Sequence, residues 1–304
     1  MTTLTEGQHA GEFIVSENEG HLSREIVTVA SGQNLKAGTV YGRIGRQLAA
    51  APIPAVVGTG NGTLYGLKAG PNVQSGNYVI KCTAIAANAG TFSVTAPDGK
   101  ALPDATVGVP YKSTHLDFTL NDGSTDFAVN DTFTVAVTAG GTPVVVGTGN
   151  GTISGITMGR KTQTGTYRLE CTAAATNGGT FKVVAPNGAA LPNATVGTAF
   201  ADEQINFTIN DGSSDFVVGD YFHVVVAQGS KKVTALAPSA VDGSEVAAGL
   251  LFDNTDATSG DKKAVGIERN AEVNKAELIW PAGITAAQQD VALLNLATQN
   301  VVAR

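Results

Sequence analysis

The chain has 304 residues, of which 42% are hydrophobic and only 15% charged, with 37 glycines and a formal charge of −7 at pH 7. An acidic balance of this kind excludes a general nucleic-acid binder, which needs a positive field to displace counterions, and no polybasic tract suits a membrane surface. No apolar run approaches the roughly 18 residues that suggest a spanning helix, and two cysteines make no disulfide framework.

The first 20 residues carry Glu6, Glu12, Glu17 and Glu19, with neither a basic start nor an apolar centre. They do not read as a signal peptide, so the expectation is synthesis in a cytosol. They are also poor in apolar side chains, and the expectation is an arm that does not order itself. Residues 12–16 and 24–30 read as strands, 31–34 as a turn, and 35–44 as a glycine-punctuated strand.

Beyond that point the chain repeats itself. Val56-Val57-Gly58-Thr59-Gly60-Asn61-Gly62-Thr63 returns as Val145-Val146-Gly147-Thr148-Gly149-Asn150-Gly151-Thr152, Cys82 returns as Cys171, and Asn121-Asp122-Gly123-Ser124 returns as Asn210-Asp211-Gly212-Ser213, each 89 residues later and with no gap. Roughly 90 residues can close their own core, so the copies read as two whole domains, 53–143 and 144–231. In the first, Tyr78, Ile80 and Cys82, Phe92 and Val94, Leu116, Phe118 and Leu120, and Phe133, Val135 and Val137 alternate as inward-facing sets. Tyr167, Leu169, Cys171 and the residues equivalent to the other sets do so in the second. Asp98-Gly99, Asn187-Gly188, Asp122-Gly123 and Asp211-Gly212 suit turns that need positive φ. The pattern predicts two immunoglobulin-like β-sandwiches, without the disulfide and buried tryptophan of antibody domains. Cys82 and Cys171 then act as small buried apolar groups.

After residue 232 the character changes again. Residues 245–252, 263–268 and 274–280 read as strands. Thr285 with Gln288 three residues on forms a capping-box pattern. It starts a short amphipathic helix over 286–298, with Ala287, Val291 and Leu294 at helical spacing, followed by a terminal strand at Val301-Val302.

The motifs that carry chemistry elsewhere do not assemble here. Gly58-Thr59-Gly60-Asn61-Gly62 precedes a strand and lacks the Lys-Ser/Thr of a phosphate loop, so it reads as a turn or joint. Asp122, Asp126 and Asp131, repeated as Asp211, Asp215 and Asp220, lack the closing bidentate glutamate of a calcium loop and read as solvated turn carboxylates. His9, His21, His115 and His223 are scattered, and only His223 falls in an alternating strand, where the other copy has Thr134. No catalytic, cofactor-binding or metal-binding residues are assigned, and the chain reads as a non-enzyme.

The outer sections together resemble one family. Residues 5–17 (Thr5-Glu6-Gly7-Gln8-His9-Ala10-Gly11-Glu12-Phe13-Ile14-Val15-Ser16-Glu17), Ser23-Arg24-Glu25 and Leu35-Lys36-Ala37-Gly38-Thr39-Val40 are similar to the start of tailed-phage head decoration proteins, the lambda gpD-like group. Asp261-Lys262-Lys263-Ala264-Val265-Gly266-Ile267, Ala276-Glu277-Leu278-Ile279-Trp280-Pro281 and the closing helix are similar to its end. The resemblance implies a small β-rich decoration domain, 1–46 plus 232–304. The family normally has only a short connection between these sections, and this chain departs from it by carrying the two tandem sandwiches there, so the whole reads as mainly β with one short C-terminal helix. It implies a homotrimer on the exterior of the virion capsid that binds the major capsid protein and stabilises the expanded head, with no cofactor, nucleic acid or membrane as partner. Thr5, Glu6, Phe13, Ile14, Val15, Arg24, Ile26 and Val27 are the expected capsid-contact residues, and Trp280 with Pro281 the expected trimer or core anchor. The alternative is a phage adhesin or receptor-binding fibre whose modules bind host surface glycans. It requires an exposed aromatic platform in both copies, and Tyr65 in the first copy is matched by Ser154 in the second.

Overall fold

A computed structural model describes residues 7–50, 53–140, 143 and 145–304. Among the described residues 49% lie in strands and 6% in helices, so the protein is mainly β, with one short helix near the C-terminus. Its contacts separate two units, Met1–Gly45 with Gly229–Arg304, and Arg46–Gln228.

In the discontinuous unit five strands close a barrel, in the order Arg24–Val29, Val233–Ala235, Val40–Arg43, Ala247–Leu251 and Lys262–Ile267. Tyr41 is fully buried among Val27, Val29, Leu35, Val233 and Leu251. Its hydroxyl donates to Glu268 Oε1 at 2.8 Å, so the buried polar tip is satisfied. Two glycines make room for it. A Cβ on Gly249 would stand 2.5 Å from that hydroxyl, and one on Gly266 would stand closer still. The glycine of Ala264-Val265-Gly266-Ile267 is therefore a packing requirement of the tyrosine.

Beside the barrel, Ile14–Glu17, Ala271–Val273 and Val301–Ala303 form a three-stranded sheet. The helix Ala286–Ala297 starts at the expected capping box, with Gln288 N donating to Thr285 Oγ1 and Thr285 N to Gln288 Oε1. Phe13, Val40, Leu250, Ile267, Val273, Leu278 and Leu296 make the second core of this unit. The two places where the chain leaves and re-enters it are adjacent: Gly229 N donates to Gly45 O, and Ile44 N to Lys232 O, both at 2.9 Å.

Two expectations fail here. Residues 274–280 are not a strand. Asn274 Oδ1 accepts from Ala276 N and caps a 3₁₀ turn, Lys275–Glu277, so a side chain takes the backbone bond a ladder needs. Nor do the first 20 residues stay unordered as a whole. Phe13 is buried, Gly11 N donates to Phe252 O, and Asn274 N donates to Phe13 O, so one aromatic side chain and a few backbone bonds tie the segment down.

In Arg46–Gln228 each copy builds two sheets around one core. The first has a five-stranded sheet, ordered Ala101–Thr106, Ala89–Thr95, Gly76–Ala86, Thr132–Val137 and Ile53–Val57. It faces a three-stranded one, ordered Pro110–Lys112, Leu116–Asn121 and Thr63–Ala69. The alternating sets read from sequence are all buried between them, Cys82 included. The second copy repeats the plan around Tyr167, Leu169, Cys171, Phe181 and Phe222. Its strand Tyr221–Gln228 also pairs with Arg46–Ala49, a segment that precedes the first copy.

The aspartate turns differ from expectation in two ways. Gly99 and Gly188 have φ of +83° and +86°, as the turns require, but Gly123 and Gly212 are not among the residues of positive φ. They are needed because Asn61 and Asn150 approach closely, where any Cβ would collide with backbone and side chain.

Candidate functional site

Two exposed apolar faces lie on the discontinuous unit. The first is built on the strand Arg24–Val29, where alternation sends Val27 and Val29 into the barrel and leaves Ile26 72% exposed. Val15, on the strand Ile14–Glu17, is 59% exposed. Arg24 ties these strands together. Its guanidinium pairs with Glu17 and lies 4.1 Å from the centre of the Phe252 ring, and Ser23 Oγ donates to the same glutamate.

The second face is on the C-terminal helix. Val291 is 57% and Leu294 68% exposed, and Val302 on the last strand is also exposed. Beside them an open groove of about 370 Å³ is lined by Asp290, Leu293, Leu294, Ala297, Val302 and Ala303. The sequence expectation is inverted here. An amphipathic helix normally buries its apolar stripe, yet Ala287, Val291 and Leu294, the residues at helical spacing, are exposed, and Ala292 and Leu296 are the buried ones. The helix carries alanine and leucine on both sides, so periodicity alone cannot say which side meets the core.

The expected contact residues divide accordingly. Thr5 and Glu6 lie outside the described residues. Phe13 and Val27 are core side chains and cannot present themselves to a partner, because the fold uses both to close its interior. Ile14 and Arg24 are half-buried, and Val15 and Ile26 face outward. Trp280 and Pro281 are half-buried, with Trp280 packed on the edge of the Phe13 core, while neighbouring Leu278 is the buried anchor. Sequence reasoning fixed on the single tryptophan and passed over Leu278.

The glycine loops and the aspartates of the repeats prove to be parts of one device. Asp131 Oδ1 accepts from Thr59 N at 3.0 Å, and Oδ2 from Gly60 N and Ala128 N at 2.9 Å each. Asp220 takes the same bonds from Thr148, Gly149 and Val217. The loop donors point at an internal carboxylate, which is buried rather than solvated as its sequence context suggested. Burial opposes the charge of Asp131, but the backbone donors together outweigh it and hold the carboxyl below its ordinary range.

The family model of bacteriophage lambda head decoration protein D matches residues 3–130 and 139–301. The chain belongs to that family. It is accordingly a structural phage head decoration protein, which binds a phage capsid and is located on the virion. The family is not an enzyme class. The match runs well beyond 1–46 and 232–304, the sections that carry the sequence resemblance, into both repeats. No curated protein and no solved structure matches the chain. No helix among the described residues is long and apolar enough to cross a membrane.

Proposed function

We propose that this decoration protein binds the exterior of an expanded phage head as a homotrimer, with the discontinuous unit on the shell and the two repeats carried outward as immunoglobulin-like modules. Synthesis in the host cytoplasm precedes binding to the major capsid protein. The observation that carries the reading is the pair of apolar faces on the unit that bears the family motifs. One, at Val291, Leu294 and Val302, suits contact between copies; the other, at Val15 and Ile26 beside the Ile14–Glu17 strand, suits the shell. A strand edge beside apolar side chains can take a shell strand by backbone pairing. Protein that binds only the expanded lattice stabilises it by mass action. The reading is tested by cosedimentation of the full chain with expanded heads lacking a decoration protein, together with analytical ultracentrifugation of the free protein. Saturable binding by a species of three-fold mass supports it; absence of binding by well-folded protein overturns it.

A further inference from the structure

The two repeats touch through a joint that their sequences mark. The strand Tyr221–Gln228 is buried on both faces from Phe222 to Ala227, whereas its equivalent, Thr132–Val137, is buried on alternate residues only. The even residues of Tyr221–Gln228 fill the second copy's own core. Val225 and Ala227 instead join the core of the first copy, together with Ala49 and Val73. Hydrogen bonds seal the contact. Ala69 N donates to Thr166 Oγ1 at 3.1 Å, Thr166 Oγ1 donates to Ala69 O at 2.8 Å, and Gln228 N donates to Val73 O at 2.7 Å. The equivalents of His223, Val225 and Ala227 in the first copy are Thr134, Ala136 and Thr138, a more polar set.

His223 is the one titratable side chain on the buried stretch of this face. It is 7% exposed, and its Nε2 has no hydrogen-bond partner. Arg168 stands opposite it on the neighbouring strand, with its guanidinium over the Tyr221 ring, and the Tyr221 ring also packs on the imidazole. Glu170, the acid on that strand, is engaged by Arg168 at 2.9 Å. From the first copy, the positive charge of Lys68 acts on the imidazole, and the connecting residues 70–75 carry no charge. Arg46, on the strand that flanks the far end of Tyr221–Gln228, is also a cation. A proton on His223 would therefore enter a dry site beside positive charges. Burial first, then Arg168 and Lys68, push the imidazole down to about 4.

We propose that the joint between the repeats is an acid-labile hinge, held closed by neutral His223 and released when the imidazole takes a proton in the open form. The sign follows from linkage. The closed form binds the proton less readily than the open one, so closure is fully favoured above about pH 6.5 and weakens as pH falls toward 4. Between pH 7 and pH 4.5 the opening equilibrium rises on the order of 50-fold.

Amide hydrogen exchange of the full chain reads this directly, because Ala69 N and Gln228 N donate across the joint. After correction for intrinsic exchange, their protection is expected to fall on the order of 50-fold from pH 7 to pH 4.5, while Ile80 and Leu169, inside the two cores, stay protected. His223→Thr, which installs the first copy's residue, is expected to remove the pH dependence. His115 is the second candidate, since its carbonyl accepts from Gly70 N and its ring contacts the Tyr78 hydroxyl. His115→Gln, the second copy's residue, is expected to leave the pH dependence in place. Unchanged wild-type protection at pH 4.5, loss of core and joint protection together, or a pH dependence abolished by His115→Gln and retained in His223→Thr would each overturn the proposal. If His223→Thr leaves the joint open at every pH, an NMR titration of the wild-type imidazole decides: a midpoint near 6.5 overturns the proposal, and one near 4 supports it.

Discussion

At the scale of single residues the most consequential groups are two carboxylates and one hydroxyl. Asp131 and Asp220 are buried and each gather three backbone donors, and the glycines of the loop let the backbone come that close. Asparagine keeps the shape but places an amide N–H₂ where a second acceptor is needed. Asp131→Asn is expected to destabilise the Arg46–Gln228 unit by about 3 kcal/mol, read from the urea midpoint, since hydrogen bonds to a charged group contribute roughly 1.5–3 kcal/mol. The wild-type pH profile has a defined sign. Because the folded carboxyl titrates below its unfolded value, its stabilisation is complete above about pH 4 and is lost as pH falls through the folded value. Asp131→Asn should flatten that part of the acid limb. In the barrel, Gly266→Ala drives a methyl into the Tyr41 hydroxyl and is expected to cost about 1–3 kcal/mol. Tyr41→Phe in the same chain should recover part of that loss, measured as a rise in melting temperature over Gly266→Ala alone. A double variant no more stable than the single one would show that the collision is elsewhere.

At the scale of elements, what was legible depended on whether the local pattern had one solution. Most repeat strands alternate between inward apolar and outward residues, Tyr221–Gln228 being the exception, and every set named from sequence is buried. The capping box needed only Thr285 and Gln288, and it formed. The helix face was not legible, because alanine and leucine occupy both sides and only the position of the Phe13 core selects one. The Asn274 cap was missed because a run ending in Leu-Ile-Trp looks like a strand until the side chain of Asn274 is seen bonding its own backbone. The aspartate cradles were missed because their halves stand about 70 residues apart, and neither half alone resembles a ligand and its site. The inverted helix leads to a paired test. Leu296→Ala is expected to lower stability by about 2–5 kcal/mol, as for a truncated core leucine. Leu294→Asp should change stability by no more than about 0.5 kcal/mol yet abolish self-association in sedimentation, if Leu294 lies at the contact between copies. Trimers that survive Leu294→Asp would move that contact to another face.

At the scale of the whole molecule the decisive fact is where the insertion begins and ends. Gly45 and Gly229 are joined by a backbone hydrogen bond, so the discontinuous unit already presents two adjacent ends. Replacing residues 46–228 with a short Gly/Ser linker is expected to leave a cooperatively melting β domain, because closing so short a gap adds little loop entropy. A product without a cooperative transition would show that the repeats are needed for the host unit to fold. The repeats themselves should be excised as 46–228 rather than as separate copies, since Arg46–Ala49 completes the sheet of the second copy and Val225 and Ala227 complete the core of the first. That joint gives the duplication a direction. The two copies act as plug and socket: residues 69–74 of the first seat on the face of the second that carries Val225 and Ala227, and the first copy has the more polar Thr134, Ala136 and Thr138 at the equivalent positions of His223, Val225 and Ala227. A third copy gained by recombination could not stack ahead of the pair as the first stacks on the second. A further copy ahead of the pair needs a socket of its own at Thr134, Ala136 and Thr138.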